Sequence, residues 1–80
     1  MTHVPHGLHE EFPNAAAAIS RLKIGDAHFA HLVEGYEAAN REIHRIEAGL
    51  EPVDDAVLEA LKKKRLKLKD QIAAMLRTAA

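Results

Sequence analysis

Histidine is the residue type with the widest chemical range in this chain, which has six histidines and no cysteine. His3, His6 and His9 recur at every third residue and are followed by Glu10 and Glu11, a composition that could ligate a metal ion. Zinc, however, needs a fixed tetrahedral set of ligands held in place by further hydrogen bonds. A proline and a glycine interrupt this segment, so we expect no physiological metal site in it.

A second histidine group occurs further along the chain. His28, His31 and Glu34 recur at every third residue and would share one face of a helix, but two histidines and one carboxylate are an incomplete ligand set. His44 falls outside the apolar pattern of its segment and is interpreted as a surface residue. We therefore expect no metal and no cofactor.

The sequence also lacks a recognisable set of catalytic residues. Without cysteine there is no thiolate nucleophile, and no serine or threonine is placed beside a recognisable base. The four glycines are scattered, so no glycine-rich phosphate loop is present. We expect a protein that is not an enzyme and that has no small-molecule substrate.

A basic run in the second half of the chain is the remaining chemical signal. Its lysines are Lys62, Lys63, Lys64, Lys67 and Lys69. Lysine contacts to phosphates could bind nucleic acid, but a helix distributes these charges around its axis and no aromatic residue stands among them for base stacking. The formal net charge of −1 gives no overall attraction to nucleic acid or membrane. Nucleic acid is therefore the alternative partner.

The ends of two long helices can be read from the residues that flank them. Asp26 follows a glycine and can accept hydrogen bonds from the free amides of a first helical turn. Gly49 suits the left-handed backbone that often follows a helix, and Pro52 prevents the helix from resuming at once. Asp54 offers a second cap. The predicted long helices cover residues 26–48 and 54–77.

Apolar residues recur along both predicted helices at alternating steps of three and four. In the first helix these positions are Phe29, Leu32, Tyr36, Ala39, Ile43 and Ile46. In the second they are Leu58, Leu61, Arg65, Leu68, Ile72 and Met75. A stripe this narrow packs against one other helix, and a short connection makes the two helices antiparallel neighbours. The sequence therefore predicts an all-α fold built on an antiparallel two-helix coiled-coil hairpin over residues 26–80.

Arg65 is the one charged residue in this seam, where it faces the small Ala39. Its aliphatic stem can pack in the seam while its guanidinium reaches Asn40 or solvent. We interpret it as a residue that fixes the register of the hairpin and not as an anion-binding group.

Residues 1–25 are predicted to form a separate N-terminal arm. Its apolar residues again alternate in steps of four and three: Leu8, Phe12, Ala15, Ile19 and Leu22. Pro13 divides this run into a short turn and a helix over about residues 14–23. The arm either covers a flank of the hairpin or crosses to another subunit, and the sequence leaves both arrangements open.

A bare two-helix hairpin buries little apolar surface for its length, so a further layer is expected. Four apolar residues outside the seam would supply a second surface for an oligomer or a partner protein: Val33, Val57, Leu66 and Leu76. We therefore expect an oligomeric assembly or a complex with another protein.

Several segments resemble the YdcH-like family of small bacterial coiled-coil proteins. They are Arg21-Leu22-Lys23, Asp26-Ala27-His28-Phe29, residues 40–47 and the basic block from Leu61 to Ile72. The opening Leu8-His9-Glu10-Glu11-Phe12-Pro13 is similar to the start of the longer members. The resemblance implies a bacterial, cytoplasmic, all-helical protein with no assigned biochemical activity and no catalytic residues to carry over.

From the residues and the resemblance together, we expect an uncharacterised, non-enzymatic protein that acts by helix–helix association, with itself or with a partner protein. No apolar run approaches the ~20 residues that a membrane span requires, so no membrane partner is expected. The alternative function is weak nucleic-acid binding through the lysine run, which rising salt would weaken steeply.

Overall fold

The computed structural model describes residues 6–79, and these residues fold entirely into helices and connecting turns. The helices in chain order are α1 (Leu8–Glu11), α2 (Ala16–Gly25), α3 (Ala27–Glu47) and α4 (Asp55–Ala79). The predicted all-α class is confirmed, and so are the two long helices, which pack against each other along their lengths. The molecule measures 40 × 27 × 18 Å, with the hairpin of α3 and α4 along its longest dimension.

Asp26 both ends α2 and begins α3. Its carboxylate oxygen Oδ1 accepts a hydrogen bond of 3.0 Å from the backbone amide of Phe29, which confirms the predicted cap. Its own amide donates to the carbonyl of Leu22 at 2.9 Å, closing the last turn of α2. Because the backbone of Asp26 is extended, with φ −137° and ψ 107°, a single non-helical residue separates the two helices.

The start of α2 lies two residues later than the sequence indicates. The amide of Ala15 donates to the carbonyl of Phe12 at 3.1 Å, so residues 12–15 form a turn with Pro13 in its second position. This turn occupies Asn14, and α2 consequently begins at Ala16. At its other end α2 continues to Gly25, because the Asp26 amide still has a carbonyl partner in the helix.

The turn between α3 and α4 is closed by Gly49. Its φ of +79° is a left-handed conformation that favours glycine, as predicted. The amide of Gly49 donates to the carbonyl of Ile46, and the amide of Leu50 donates to that of Arg45, both at 3.0 Å. These two bonds form a Schellman motif, which satisfies carbonyls that the end of α3 would otherwise leave free.

The buried core lies at the end of the hairpin that includes the start of α3 and the final turns of α4. Its buried apolar members are Leu8, Ile19, Phe29, Leu32, Val33, Tyr36 and Ile72. Because Leu8 and Ile19 come from α1 and α2, the arm covers a flank of its own hairpin in this chain. Of the two arrangements that the sequence left open, the structure describes this one.

The arm corrects the prediction for two of the four residues assigned to an outer surface. Val33 is only 1% exposed and belongs to the core, while Leu76 is half-buried and packs against it. Both residues lie on the side of the seam that the arm covers. A stripe that is too wide for one partner helix therefore has a second partner within the same chain.

Candidate protein-association site

The seam is buried along only part of its length. The fully buried seam residues are Phe29, Leu32, Tyr36, Ala39, Ile43 and Ile72. The half-buried ones are Ile46, Leu58, Leu61, Arg65, Leu68 and Met75. The half-buried set includes the three seam positions nearest the loop, where α3 and α4 have no third layer beside them. These residues hold the hairpin together and leave little of the seam for an external partner.

Arg65 is satisfied inside the molecule. Its Nη1 donates to Oδ1 of Asn40 at 2.8 Å, and Asn40 is itself buried on α3. Asn40 is one of the two destinations that the sequence offered for this guanidinium. A charge-assisted hydrogen bond at a seam position favours one register of the two helices.

Two polar contacts attach the arm to the hairpin, and a third, between His6 and Glu11, lies within the arm. Nζ of Lys69 donates to Oε2 of Glu11 at 3.0 Å, and Oε1 of Glu11 accepts from Nδ1 of His6 at 2.8 Å. The hydroxyl of Tyr36 donates to the backbone carbonyl of His6 at 2.6 Å. Sequence reasoning missed these contacts, because Glu11 and Lys69 are 58 residues apart and no local spacing relates them.

Two pKa values are shifted in this region, one by these contacts and one by burial. The hydrogen bonds from His6 and then Lys69 hold the pKa of Glu11 below its ordinary value, because they stabilise the ionised carboxylate. Burial raises the pKa of the Tyr36 phenol, because it disfavours the phenolate. Glu11 is therefore an ionised acceptor at neutral pH, and Tyr36 is a neutral donor.

The histidines do not come together in the described part of the chain. His9, His28 and His31 are exposed, His44 is half-buried, and His6 contacts Glu11. Within residues 6–79 no three histidine or acidic side chains converge as a metal-binding group. The predicted behaviour of His3 lies outside the described residues.

The basic run divides into two groups on α4. Lys62 pairs with Glu47 of α3 at 2.9 Å, and Lys69 pairs with Glu11 of the arm, so both are turned toward the rest of the molecule. Lys63, Lys64 and Lys67 are exposed on the other side, and Lys63 lies 3.4 Å from Glu59 one turn earlier. The five lysines that the sequence grouped together therefore do not form one continuous cationic surface.

A cleft of about 320 Å³ lies between the arm, α3 and α4, and cationic side chains line much of it. Those cations are Lys62, Arg65 and Lys69. Each already has a partner, in Glu47, Asn40 and Glu11 respectively. We therefore interpret the polar groups of the cleft as internal contacts that hold the helices together.

The outer face of α4 is different, because its apolar surface has no cover. It is a shallow groove formed by Lys63, Leu66, Lys67, Asp70, Gln71 and Ala74. Leu66 lies at the edge of this groove nearest the cleft, whose lining it shares, and is 58% exposed. Val57, which the sequence placed on the same surface, is 46% exposed but precedes Leu66 by nine residues, which is about two and a half helical turns. The two therefore project on opposite sides of α4 and do not form one patch.

No helix among residues 6–79 combines the length and the apolar content that crossing a membrane requires.

Comparison with known proteins finds a family match over the hairpin, and that family has no known function. The family model described as "Protein of unknown function (DUF465)" matches residues 29–76, from the first core residue of α3 to the last turns of α4. No curated protein and no solved structure matches the chain. Since the match covers more than half of the sequence, the chain belongs to the DUF465 family of proteins of unknown function, which contains the small YdcH-like proteins that the sequence resembles.

Proposed function

We propose that this protein is a non-enzymatic association module whose outer face of α4 binds an amphipathic helix of a partner protein. The observation that carries the proposal is the exposure of Leu66, at 58%, in a groove lined mostly by apolar atoms. The side chains of the core pack against one another and are not available to a partner. An exposed leucine in such a groove can anchor the apolar stripe of a partner helix.

The charges around Leu66 define the chemistry of that partner. Lys63 and Lys67 border the groove, and Lys64 is exposed beside it. Asp70 is the one acidic residue in the groove lining. Complementarity therefore favours a helix that carries glutamate or aspartate on both sides of its apolar stripe. The chain as a whole has a net charge of −1, so this attraction is local to α4.

The state of the interior polar groups supports association over catalysis. The Arg65 guanidinium and the Tyr36 hydroxyl donate to Asn40 and His6, and no buried side-chain nitrogen or oxygen of the described residues lacks a partner. Active sites commonly hold a polar group whose bonding is left for the substrate. Here such groups connect the helices to one another.

Fluorescence anisotropy with a defined peptide tests the proposal. The probe is a labelled amphipathic peptide with leucine along one face and glutamate on both flanks. The control peptide has the same composition with its leucines distributed around the helix. We expect the full-length chain to bind the first peptide at least several-fold more tightly than the second, because only the first presents a continuous apolar stripe.

Two matched variants locate the surface. Leu66→Gln should weaken the binding of the amphipathic peptide several-fold, whereas Val57→Gln, a change at another exposed apolar residue of α4, should leave it unchanged. Equal binding of both peptides, or equal losses in both variants, would overturn the proposal. Tighter binding of a labelled DNA duplex, lost steeply as salt rises, would instead favour the nucleic-acid alternative. A dimer that Leu66→Gln dissociates would assign the face to a second copy.

A further inference from the structure

The connection between the arm and the hairpin is unusually short. Only Asp26 is non-helical between Gly25, the last residue of α2, and Ala27, the first residue of α3. Next to this break Ile24 is 90% exposed, and Gly25 has open space where a Cβ would lie. The space at Gly25 leaves room for a continuous helix there, and the Asp26 cap stabilises the break together with the contacts of the arm to the hairpin.

The apolar pattern continues through the break without a change of register. Alternating steps of four and three run through Ala15, Ile19, Leu22, Asp26, Phe29, Val33 and Tyr36. In the structure Ile19 on one side of the break and Phe29 and Val33 on the other are all buried. If Asp26 became helical, α2 and α3 would form one helix over residues 16–47 with a single apolar stripe.

A continuous helix would separate the arm from the flank that it now covers. Val33, Ile72 and Leu76 would lose the cover that the arm provides, and Glu11 would leave Lys69. At the same time Ile19 and Leu22 would extend beyond the start of α3, where their own chain offers no partner. Each copy would then expose both an arm and an arm-binding flank.

We propose that two copies of this chain exchange their arms when the break at Asp26 becomes helical, so that each arm covers the flank of the other copy. A second copy is the occupant that fits, because each flank already matches this arm in its apolar contacts and in the bonds of Lys69 to Glu11 and Tyr36 to His6. Exchange of an identical element requires no new interface chemistry. The proposal goes beyond the association function, because it uses the arm-binding flank and not the outer face of α4.

Two variants at the break shift the exchange in opposite directions. Asp26→Ala removes the cap and places a strong helix former at the break, so we expect a several-fold larger dimer fraction after refolding at high concentration. Ala27→Pro has the opposite effect. Proline is favoured at the first position of a helix and keeps the preceding residue out of the helical region, which matches the extended backbone of Asp26. This variant should be monomeric by light scattering at every concentration.

The wild-type chain can report the exchange without a substitution. Isotopically light and heavy protein are unfolded, mixed and refolded, and the dimer fraction is treated with a carbodiimide, which joins paired carboxylates and amines. The Glu11–Lys69 pair, at 3.0 Å, should then give roughly half light–heavy cross-links by random mixing. The Glu47–Lys62 pair, at 2.9 Å, joins α3 and α4 of one copy and is the internal control, which should give only same-isotope links.

Each result decides the proposal. Mixed Glu11–Lys69 links together with same-isotope Glu47–Lys62 links, and loss of the dimer in Ala27→Pro, support arm exchange. A dimer in which both pairs link within one copy would overturn it. So would an Ala27→Pro variant that dimerises as the wild type does, or wild-type and Asp26→Ala chains that stay monomeric throughout. These readouts do not involve peptide binding, so a failure here is distinct from a failure of the association proposal.

Discussion

The two ends of the hairpin are built differently, although the same α3 and α4 form both. At the end covered by the arm, Phe29, Tyr36 and Ile72 are almost wholly buried. At the loop end Ile46, Leu58 and Leu61 are only half-buried. The heptad pattern is equally regular in both regions, so the difference comes from the third layer that the arm adds. The arm adds buried apolar surface to the seam residues beneath it that the two helices alone do not supply.

Polar contacts reinforce this contrast. At the loop end Arg45 lies 2.9 Å from Glu51 and 3.5 Å from Glu42, in an exposed cluster. A hydrogen bond with the carboxyl group of Glu51 raises the pKa of Glu42, because two carboxyl groups can form this bond only when one of them is protonated. Exposed pairs of this kind contribute little to stability, because water and salt screen them. The loop end should therefore open before the arm end in hydrogen exchange.

The largest expected effect compares one core residue from each end. Ile72→Ala, at a position with no exposure, should lower the free energy of unfolding by about 2–5 kcal/mol, because it leaves a cavity beneath the arm. Leu61→Ala removes a half-buried side chain of similar size and should cost clearly less. Urea denaturation followed by circular dichroism measures both. Equal losses in the two variants would contradict the difference between the ends.

A smaller effect is expected at the contact between Tyr36 and the arm. Tyr36→Phe keeps the ring in the core but removes the donor to the His6 carbonyl, and it should cost about 1 kcal/mol. Amide exchange should become faster in α1 and α2 than in the loop end of α4. Uniform acceleration across the chain would instead show that the bond stabilises the whole hairpin and not the arm.

The smallest effect concerns pH. Because the folded pKa of Glu11 is lowered, its contribution to stability is present above the ordinary glutamate value of 4.5 and is lost as the pH falls through the folded value. Glu47, whose pKa is lowered by its hydrogen bond to Lys62, behaves in the same way at the last residue of α3. Glu11→Gln should therefore reduce, but not abolish, the loss of stability below pH 4.5.

Matched variants separate these two carboxylates. Glu11→Gln should alter the acid-dependent opening of the arm, while Glu47→Gln should alter that of the contact between α3 and α4. Hydrogen exchange measured at pH values on both sides of 4.5 distinguishes the two regions. An arm whose acid sensitivity is the same in Glu11→Gln and in the wild type would show that another group controls it.

Local sequence signals predicted the parts of the fold that depend on local chemistry. The Asp26 cap, the left-handed Gly49 and the Arg65–Asn40 contact all follow from residue type and helical spacing. Even Gly35 is accommodated within α3: a Cβ there would approach Leu68 only to 3.4 Å, and the helix passes through it without interruption. Such features need only one element or one pair of neighbours.

The position of the arm could not be predicted in this way. Its apolar stripe fits any flank with the same spacing, whether in its own chain or in another copy, so the sequence places Val33 on a surface for an oligomer or a partner protein. The contacts that fix its place, such as Glu11 to Lys69, join distant parts of the chain and leave no periodic signal. The outer face of α4 was equally hard to predict. Helical position shows that Leu66 and Val57 project on different sides of α4, but it does not show which of them contacts a partner.

The single-residue break at Asp26 has a mechanical consequence for the arm. A ten-residue helix such as α2 is about 15 Å long, so a rotation of ~20° at its end would move the far end by ~5 Å. That distance exceeds the reach of a hydrogen bond, so the bonds of Glu11 and His6 can form only over a narrow range of angles at Asp26. The arm is thus held at both ends, and a substitution at residue 26 or 27 should weaken the contact of Glu11 with Lys69, which lies on a different helix and far along the chain.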